Sequence, residues 1–317
     1  MKHNILSEVV AAGYRRMATS SVCICALARD CAPALARNLP VVDALCAQFK
    51  RAAVVIVEND SKDESKEVLR TWAAGRAHIK LFLDDFGPTT NGNTKLPRPN
   101  PSFSRHRMER MVFHRNRYLD YALGIAGLEY VIVVDLDLYR VDIDGIAHAF
   151  GQTIPWDAQF ANGRISDHCR PQFSDFYWDT YALWELGDNT PQTETKIASY
   201  FERLHPLAKG MPLLAVQSAF GGVAVYRCDA LKGQRYTVED NHDAQVEVVC
   251  DHVSLHRRMI AAGSRLFINP SMVVYYNRPR SRVTLHAARL ADVLRRKGIV
   301  GATRTLVSRL ASSRISS

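Results

Sequence analysis

The stretch Tyr130-Val131-Ile132-Val133-Val134-Asp135-Leu136-Asp137 joins five apolar residues to a pair of carboxylates. A short uninterrupted run of β-branched and aromatic residues is typical of a strand buried inside a parallel sheet. Side chains two positions apart in an extended segment point the same way, so Asp135 and Asp137 can converge on one cation. Mg2+ and Mn2+ prefer such oxygens and complete their shells with water and phosphate. The alternative is an acidic strand-end turn that leads to a helix cap.

Apolar runs and helical patterns alternate along the first half of the chain, in the order expected of a doubly wound α/β sheet. We predict strands at 22–27, 52–57 and 79–83, and helices at 32–49, 62–74 and 105–125. Ser61 or Asp60 is the predicted cap of the second helix. The proline-rich stretch 84–104 is predicted to be a long loop, and the absence of a G-x-G-x-x-G turn makes a dinucleotide cofactor unexpected.

Polar residues follow the predicted strands where each of them ends. In open α/β sheets these carboxyl ends meet at one ligand crevice. A carboxylate there can accept hydrogen bonds from guanine or uracil, and an arginine can hold phosphate; the alternative for the acids at 58 and 60 is helix capping. The nucleotide-binding candidates are Arg29, Glu58, Asn59, Asp60, Arg115 and Asp135.

Two features of the second half also carry chemistry. Gly221 and Gly222 stand just before a predicted strand, where the backbone must approach something closely or form a β-bulge. Glu247 and Asp251 are expected one helical turn apart at the start of a helix, where either could accept a proton. Alternatively, Asp251 only favours the helix N-terminus.

Composition limits the class of protein. The 317 residues are 47% hydrophobic, enough for one large α/β domain or two small ones, and the seven cysteines show no C-x-x-C pair. We therefore expect free thiols in a reducing, cytoplasmic setting. No stretch reaches the roughly 18 apolar residues of a bilayer span, and no secretory leader is expected.

The formal charge of +9 is concentrated near the C-terminus, where Arg278 to Ser317 holds ten basic residues and one acid, Asp292. Apolar residues at helical spacing accompany this charge, which predicts two short basic amphipathic helices in 281–317. Such helices fit an anionic membrane surface, as on the inner face of the cell membrane, or else dock on their own domain. No aromatic interleaving or motif supports nucleic-acid binding.

The order of these segments resembles that of GT-A glycosyltransferases, and more specifically the cryptococcal family of α-1,3-mannosyltransferases. The likeness spans about residues 22 to 280. It is carried by Val57-Glu58-Asn59-Asp60-Ser61, Arg115-Asn116-Arg117-Tyr118-Leu119, Phe176-Tyr177-Trp178-Asp179-Thr180-Tyr181, Gln217 to Gly222, Glu247 to Cys250, and Ile268 to Tyr276. The resemblance implies a GT-A (Rossmann-like) mixed sheet flanked by helices, followed by the basic helical tail.

What the resemblance implies for activity is transfer of mannose from GDP-mannose, assisted by Mn2+ or Mg2+, to a glycan or lipid-linked saccharide in surface polysaccharide synthesis. Asp137 would hold the metal, and Asp135 would hold the metal or the ribose. Asp251, and second Glu247, would be the base of an inverting route; a retaining route, which the resemblance favours, needs no dedicated base. The residues expected to contact the donor or acceptor sugar are Gln217, Gly221, Gly222 and Asp179.

The expected organisation is an N-terminal segment (1–21), a GT-A domain (22–280) and the tail (281–317). Two other functions fit the sequence less well. A nucleotidyltransferase would need a glycine-rich basic loop after the first strand, and residues 28–33 contain no glycine. A non-catalytic nucleotide-binding protein at the membrane surface would lack turnover altogether.

Overall fold

The computed structural model describes residues 2–87, 101–166, 175–204 and 207–279. Eleven strands and eight α-helices lie in this described part of the chain. The strands are β1 (Ser21–Ala28), β2 (Arg51–Asn59), β3 (Ile79–Asp84), β4 (Tyr130–Val134), β5 (Arg140–Val141), β6 (Ala158–Ile165), β7 (Phe176–Tyr177), β8 (Trp184–Glu185), β9 (Leu214–Ser218), β10 (Val223–Arg227) and β11 (Leu266–Tyr275). The helices are α1 (Lys2–Met17), α2 (Ala32–Cys46), α3 (Ser65–Ala73), α4 (Arg105–Leu123), α5 (Ile143–Phe150), α6 (Glu194–Arg203), α7 (Cys228–Leu231) and α8 (Asp251–Ala261).

The sheet is mixed, with the strand order β3-β2-β1-β4-β10-β6-β11-β9-β8. Strands β1 to β4 are parallel, β10 runs antiparallel between β4 and β6, and β11 is parallel to β6. Every residue of β4 is buried, as expected of a central strand covered on both faces. The predicted α/β class, a mixed sheet flanked by helices, is confirmed.

Helices cover both faces of the sheet and divide the core in two. Along β1 and β4, Ile24 and Ile132 face a layer built with α1, α2 and α5, whereas Cys25 and Val133 face a layer built with α4 and α8. This division follows from the two-residue period of a strand. Because β1, β2, β4, β6 and β11 run in the same direction, their carboxyl ends meet along one edge of the sheet.

The first helix packs against α5 with backbone in contact with backbone. A Cβ built on Gly13 would lie 1.7 Å from the carbonyl oxygen of Ala147, so a larger residue could not occupy that position. The Tyr14 hydroxyl donates a hydrogen bond to Asp144 (2.6 Å), and Met17 is fully buried. The C-terminal half of α1 thus shares the core with the sheet.

The predicted cap of the second helix is wrong. Helix α3 begins at Ser65, and Glu64 at its N-cap makes no side-chain capping bond. Instead, the Ser61 hydroxyl accepts the Asp30 N–H (2.9 Å), and Asp60 accepts the N–H of Phe86 and of Gly87. These side chains tie neighbouring strand-end loops together, which local spacing does not reveal.

None of the described helices is long and apolar enough to cross a membrane. The helices predicted in 281–317 lie outside the described residues, as do positions 88–100 of the predicted long loop.

Candidate functional site

The acid pair lies where β4 leaves the sheet. The Asp135 N–H donates to the carbonyl of Gly222 (2.9 Å), which joins the acid turn to the glycine loop that precedes β10. On the other side, the Asn38 side chain of α2 donates to the carbonyls of Leu136 and Leu138 (both 2.7 Å). The turn is therefore fixed from two directions, with Asp135 half-buried and Asp137 exposed. Asn38 gave no signal in the sequence because its partners lie about a hundred residues away.

The glycine loop needs both of its glycines. Gly221 and Gly222 have φ angles of 65° and 91°, a left-handed conformation that L side chains rarely adopt. A Cβ on Gly221 would lie 2.4 Å from the carbonyl oxygen of Ala161, and one on Gly163 would lie 2.7 Å from that of Gly221. The predicted close approach is confirmed, and the neighbour being approached is strand β6.

The crevice beside this loop carries more negative than positive charge. Burial raises the pKa of Asp135 well above its usual range, and the charges of Asp137, Asp179 and Asp251 raise it further. Only Arg115 opposes this shift among its main causes. Arg107 also acts on Asp179 and Asp251, so that four carboxylates face two guanidinium groups, a surplus that favours the arrival of a cation.

The donor set fits a hard divalent ion. The described residues contain no group of three or more His, Cys, Asp or Glu side chains arranged to hold a metal. Mg2+-type sites commonly use only one or two carboxylates, with water and substrate phosphates in the other positions. Asp135 and Asp137 match that pattern.

Arg115 and Asp251 form an ion pair under the glycine loop. Both are almost fully buried, and the Arg115 guanidinium also donates to the Tyr118 hydroxyl (2.9 Å) and lies 5.4 Å from the ring centre of Phe220. Burial alone would raise the pKa of Asp251, but the Arg115 charge holds it below the usual range. Proton transfer to Asp251 is therefore disfavoured while this ion pair persists.

Glu247 lies apart from that pair. It precedes helix α8, so the expectation that it stands one helical turn from Asp251 is wrong. The Glu247 carboxylate accepts the Arg105 N–H (2.8 Å) at the start of α4. An open cleft of about 370 Å³ adjoins it. The cleft is lined by Arg105, Asp240, His242, Asp243, Ala244 and Glu247.

The strand-end acid Glu58 is fully buried at the end of β2. One of its oxygens accepts the Ser61 N–H (2.9 Å), while Oε2 has no hydrogen-bond partner and lies 3.6 Å from the Lys66 ammonium. Lys66 also donates to the Asp84 carbonyl (3.0 Å). The sequence did not single out Lys66, because a lysine one turn into a helix is ordinarily a surface residue.

The other strand-end candidates are more open. Arg29 follows β1, is exposed, and lies 3.6 Å from the Asp30 carboxylate. Asn59 ends β2 and donates to the Asp60 side chain (2.9 Å). These residues share the carboxyl edge of the sheet with Asp135, as the sequence predicted.

Backbone conformations out of the ordinary are concentrated at this edge. Among the described residues other than glycine, positive φ angles occur at Asp30 (46°), Asp60 (53°), Asp179 (70°) and His242 (59°). Asp30 and Asp60 follow β1 and β2, and Asp179 follows β7. Such conformations cost on the order of 1 to 3 kcal/mol each and are common at functional sites.

Asp179 and Gln217 are the remaining candidates for sugar contacts. Burial, and next the charge of Asp251, raise the pKa of Asp179 to about 6, although the Ala182 N–H and Arg115 oppose the shift. Gln217 lies in β9, and its side-chain carbonyl is buried without a hydrogen-bond partner. The structure thus places Asp179 near the acid pair and leaves Gln217 with an unused acceptor.

No protein-family model matches the sequence, and no curated protein does. Three solved structures are similar to the chain. The mannosyltransferase PcManGT from Pyrobaculum calidifontis, in complex with GDP-Man and Mn2+, is 14% identical, with a TM-score of 0.46 over 97% of this chain and 76% of that chain. S. aureus TarS 1-349 is 13% identical, with a TM-score of 0.43 over 86% of this chain. GalNAc-T7 with UDP, GalNAc and Mn2+ is 11% identical, with a TM-score of 0.43 over 82% of this chain.

The chain spans 65% of the TarS structure and 44% of the GalNAc-T7 structure. Identities and TM-scores of this size assign no activity to the chain.

Proposed function

We propose that this chain is a metal-dependent glycosyltransferase that moves a hexose from a nucleotide-sugar donor to a saccharide. The observation that carries this proposal is the Asp135-Leu136-Asp137 turn, held against Gly222 at the carboxyl edge of the sheet with a surplus of carboxylates around it. A divalent cation on that pair needs an anionic partner, and a nucleotide diphosphate supplies one.

Each group of residues at the site then has a proposed role. Asp135 and Asp137 would hold the cation, which when bound would supply positive charge against the departing diphosphate. Glu58 and Asp60 stand at the end of β2, where a carboxylate can accept from a base edge, with Arg29 and Asn59 beside them. Gly221 and Gly222 keep the floor of the crevice free of side chains.

Arg115 supports this arrangement from below. Because Asp251 neutralises it and Phe220 and Tyr236 flank it, we propose that the pair keeps the glycine loop seated against β4. In an inverting reaction Asp251 or Glu247 would serve as the base for the acceptor hydroxyl. In a retaining reaction these groups, with Asp179 and Gln217, would instead hold the sugar.

Mannose from GDP-mannose is the first donor that we propose, on the resemblance described above. The proposed acceptor is a glycan or a lipid-linked saccharide, approached at an anionic membrane surface through residues 281–317. The proposed domain boundaries are those predicted from the sequence, with the catalytic domain at 22–280.

The test is donor hydrolysis with GDP- and UDP-sugars, with and without Mn2+, in the parent chain and in Asp137→Ala. Asp137 is exposed, so its removal should leave the fold intact. We expect the variant to lose at least about a hundredfold in Mn2+-dependent rate, since stabilisation of the leaving group is the main effect removed.

Asp229→Ala is the matched control, because Asp229 is an exposed aspartate paired only with Lys232 and should keep full activity. Full activity of the parent chain in EDTA would exclude the metal role. Nucleotide binding without any turnover would favour the non-catalytic alternative.

A further inference from the structure

Two aromatic rings form a stacked pair at the same edge of the sheet. The ring centres of Trp178 and Tyr276 are 4.0 Å apart, with 22° between the ring planes. Neither residue belongs to the catalytic, nucleotide or metal candidates above.

Backbone hydrogen bonds to neighbouring residues of β6 fix the pair. The Trp178 N–H donates to the Gly163 carbonyl (2.9 Å), and the Tyr276 N–H donates to the Arg164 carbonyl (2.8 Å). The backbones of both residues are therefore held against β6, beside the glycine loop that packs on Gly163.

The pair borders the acidic crevice. Trp178 directly precedes Asp179, which has a left-handed backbone (φ 70°) and lies within reach of the Asp251 charge. Tyr276 adjoins the acid turn, because the N–H of Tyr139, two positions after Asp137, donates to the carbonyls of Tyr275 (2.8 Å) and Tyr276 (3.2 Å). A ligand that reaches the proposed metal site would thus lie beside these rings.

Their exposure distinguishes these rings from core aromatics. Tyr177, one position earlier, is fully buried, whereas Trp178 and Tyr276 are half-buried. A half-buried aromatic pair combines an apolar face with a polar rim, since the indole N–H and the phenol O–H can reach a wet ligand. A pyranose ring has the complementary form, with a face of C–H groups and a rim of hydroxyls.

We infer that the Trp178–Tyr276 pair is a binding platform for a pyranose ring beside the acid turn. This inference rests on the proposed function for the source of the sugar. The ring could belong to the nucleotide-linked donor or to the saccharide acceptor, which share this chemistry, and the experiment separates the two.

Calorimetry on the full chain with Mn2+ provides the test. The donor comparison is GDP-mannose against GDP, and UDP-glucose against UDP, so that the affinity contributed by the sugar is measured directly. The acceptor comparison is mannobiose titrated with and without the bound nucleotide. We expect Trp178→Leu and Tyr276→Leu each to weaken binding about tenfold in one of these comparisons, with GDP and UDP affinity unchanged. Trp178→Phe, which keeps an aromatic face, should recover most of the loss.

Trp72→Leu is the matched control, because Trp72 is also half-buried but contacts Asp43 of α2 and Arg76, which follows α3. Folded Leu variants that bind saccharide as the parent does in both comparisons would overturn the platform. Should either variant fail to fold, saturation transfer from aromatic protons of the parent chain to mannobiose or GDP-mannose decides, and no transfer to pyranose C–H protons also overturns it. A parent chain that binds no nucleotide would instead contradict the proposed function, while mannobiose binding without nucleotide still tests the platform.

Discussion

The guanidinium of Arg115 and the carboxylate of Asp251 are paired across 136 positions of sequence, with both side chains almost fully buried. Removal of one member of such a pair leaves an uncompensated charge in the core. We expect Arg115→Met or Asp251→Leu to lower the free energy of unfolding by about 3 to 5 kcal/mol, measured by urea denaturation.

The double variant Arg115→Met with Asp251→Leu tests the reason for that loss. Since neither charge then remains, we expect it to be more stable than either single variant. Equal or additive losses would show that the pair contributes by packing and not by mutual neutralisation. If the pair seats the glycine loop, Mn2+-dependent donor hydrolysis should stay low in the double variant although stability returns.

Glu58 and Asp60 give a second prediction, on nucleotide affinity. Alanine at one of the two should weaken GDP binding by about 1.5 to 3 kcal/mol, the usual size for a hydrogen bond to a charged group. Calorimetry with GDP and UDP makes the measurement.

Asp63→Ala is the control for that prediction, because Asp63 also fastens strand-end loops, through the N–H of Ala32 and of Ser65, but has no proposed ligand role. Unchanged GDP and UDP binding in both Glu58→Ala and Asp60→Ala would show that these acids only hold the strand-end loops together.

Asp179 should make stability depend on pH. Its folded pKa of about 6 lies above the ordinary 3.8, so the folded protein keeps the proton to higher pH than the unfolded chain does. The associated stabilisation is complete below about pH 4 and is lost as the pH rises through about 6. At pH 7.5, without divalent cations, Asp179→Asn should therefore be more stable than the parent, by up to about 3 kcal/mol.

Asparagine suits the test because it tolerates the left-handed backbone of this position. The measurement is thermal or urea unfolding from pH 4 to 8, with Asp229→Asn, an exposed change, as the control. An Asp179→Asn profile parallel to that of the parent would show that the carboxylate is solvated.

The basic tail gives the last prediction. At about 1 kcal/mol per basic residue near anionic lipid, four engaged arginines would give salt-sensitive binding. We expect a chain that ends near Arg280 to hydrolyse donor sugar as before and to cease sedimenting with phosphatidylserine vesicles. A lowered melting temperature, together with no vesicle binding by the full chain, would support docking of the tail on the domain.

Local patterns predicted the first half of the sheet well. The strands at 22–27 and 52–57 were found within two residues of their predicted bounds, because each is a continuous apolar run bounded by polar turns. The helix predicted at 32–49 is also present as α2, and it continues through Pro40. The order of strands past β4 could not be predicted, since β10 enters the sheet between β4 and β6 from almost ninety residues further along the chain.

The candidate site, like the sheet, could be predicted from the sequence only in part. The sequence predicted that Asp135 and the glycines carry chemistry, and both lie at the same edge. It could not predict that Ser61 would fasten Asp30, that Asn38 would hold the acid turn, or that Arg115 would neutralise Asp251. Because each of these bonds joins distant segments, the spacing of residues along the chain could not predict them.

The insertion of β10 beside β4 has a consequence for synthesis of the chain. Until residues 223–227 leave the ribosome, β4 has a neighbour on the β1 side only, and its other edge presents five buried-type residues with unpaired backbone groups. Such an edge is a template for wrong pairing between nascent chains. Truncated products that stop before residue 223 are therefore expected to require chaperones to stay in solution, and the acid turn acquires its glycine partner only after residue 222 has emerged.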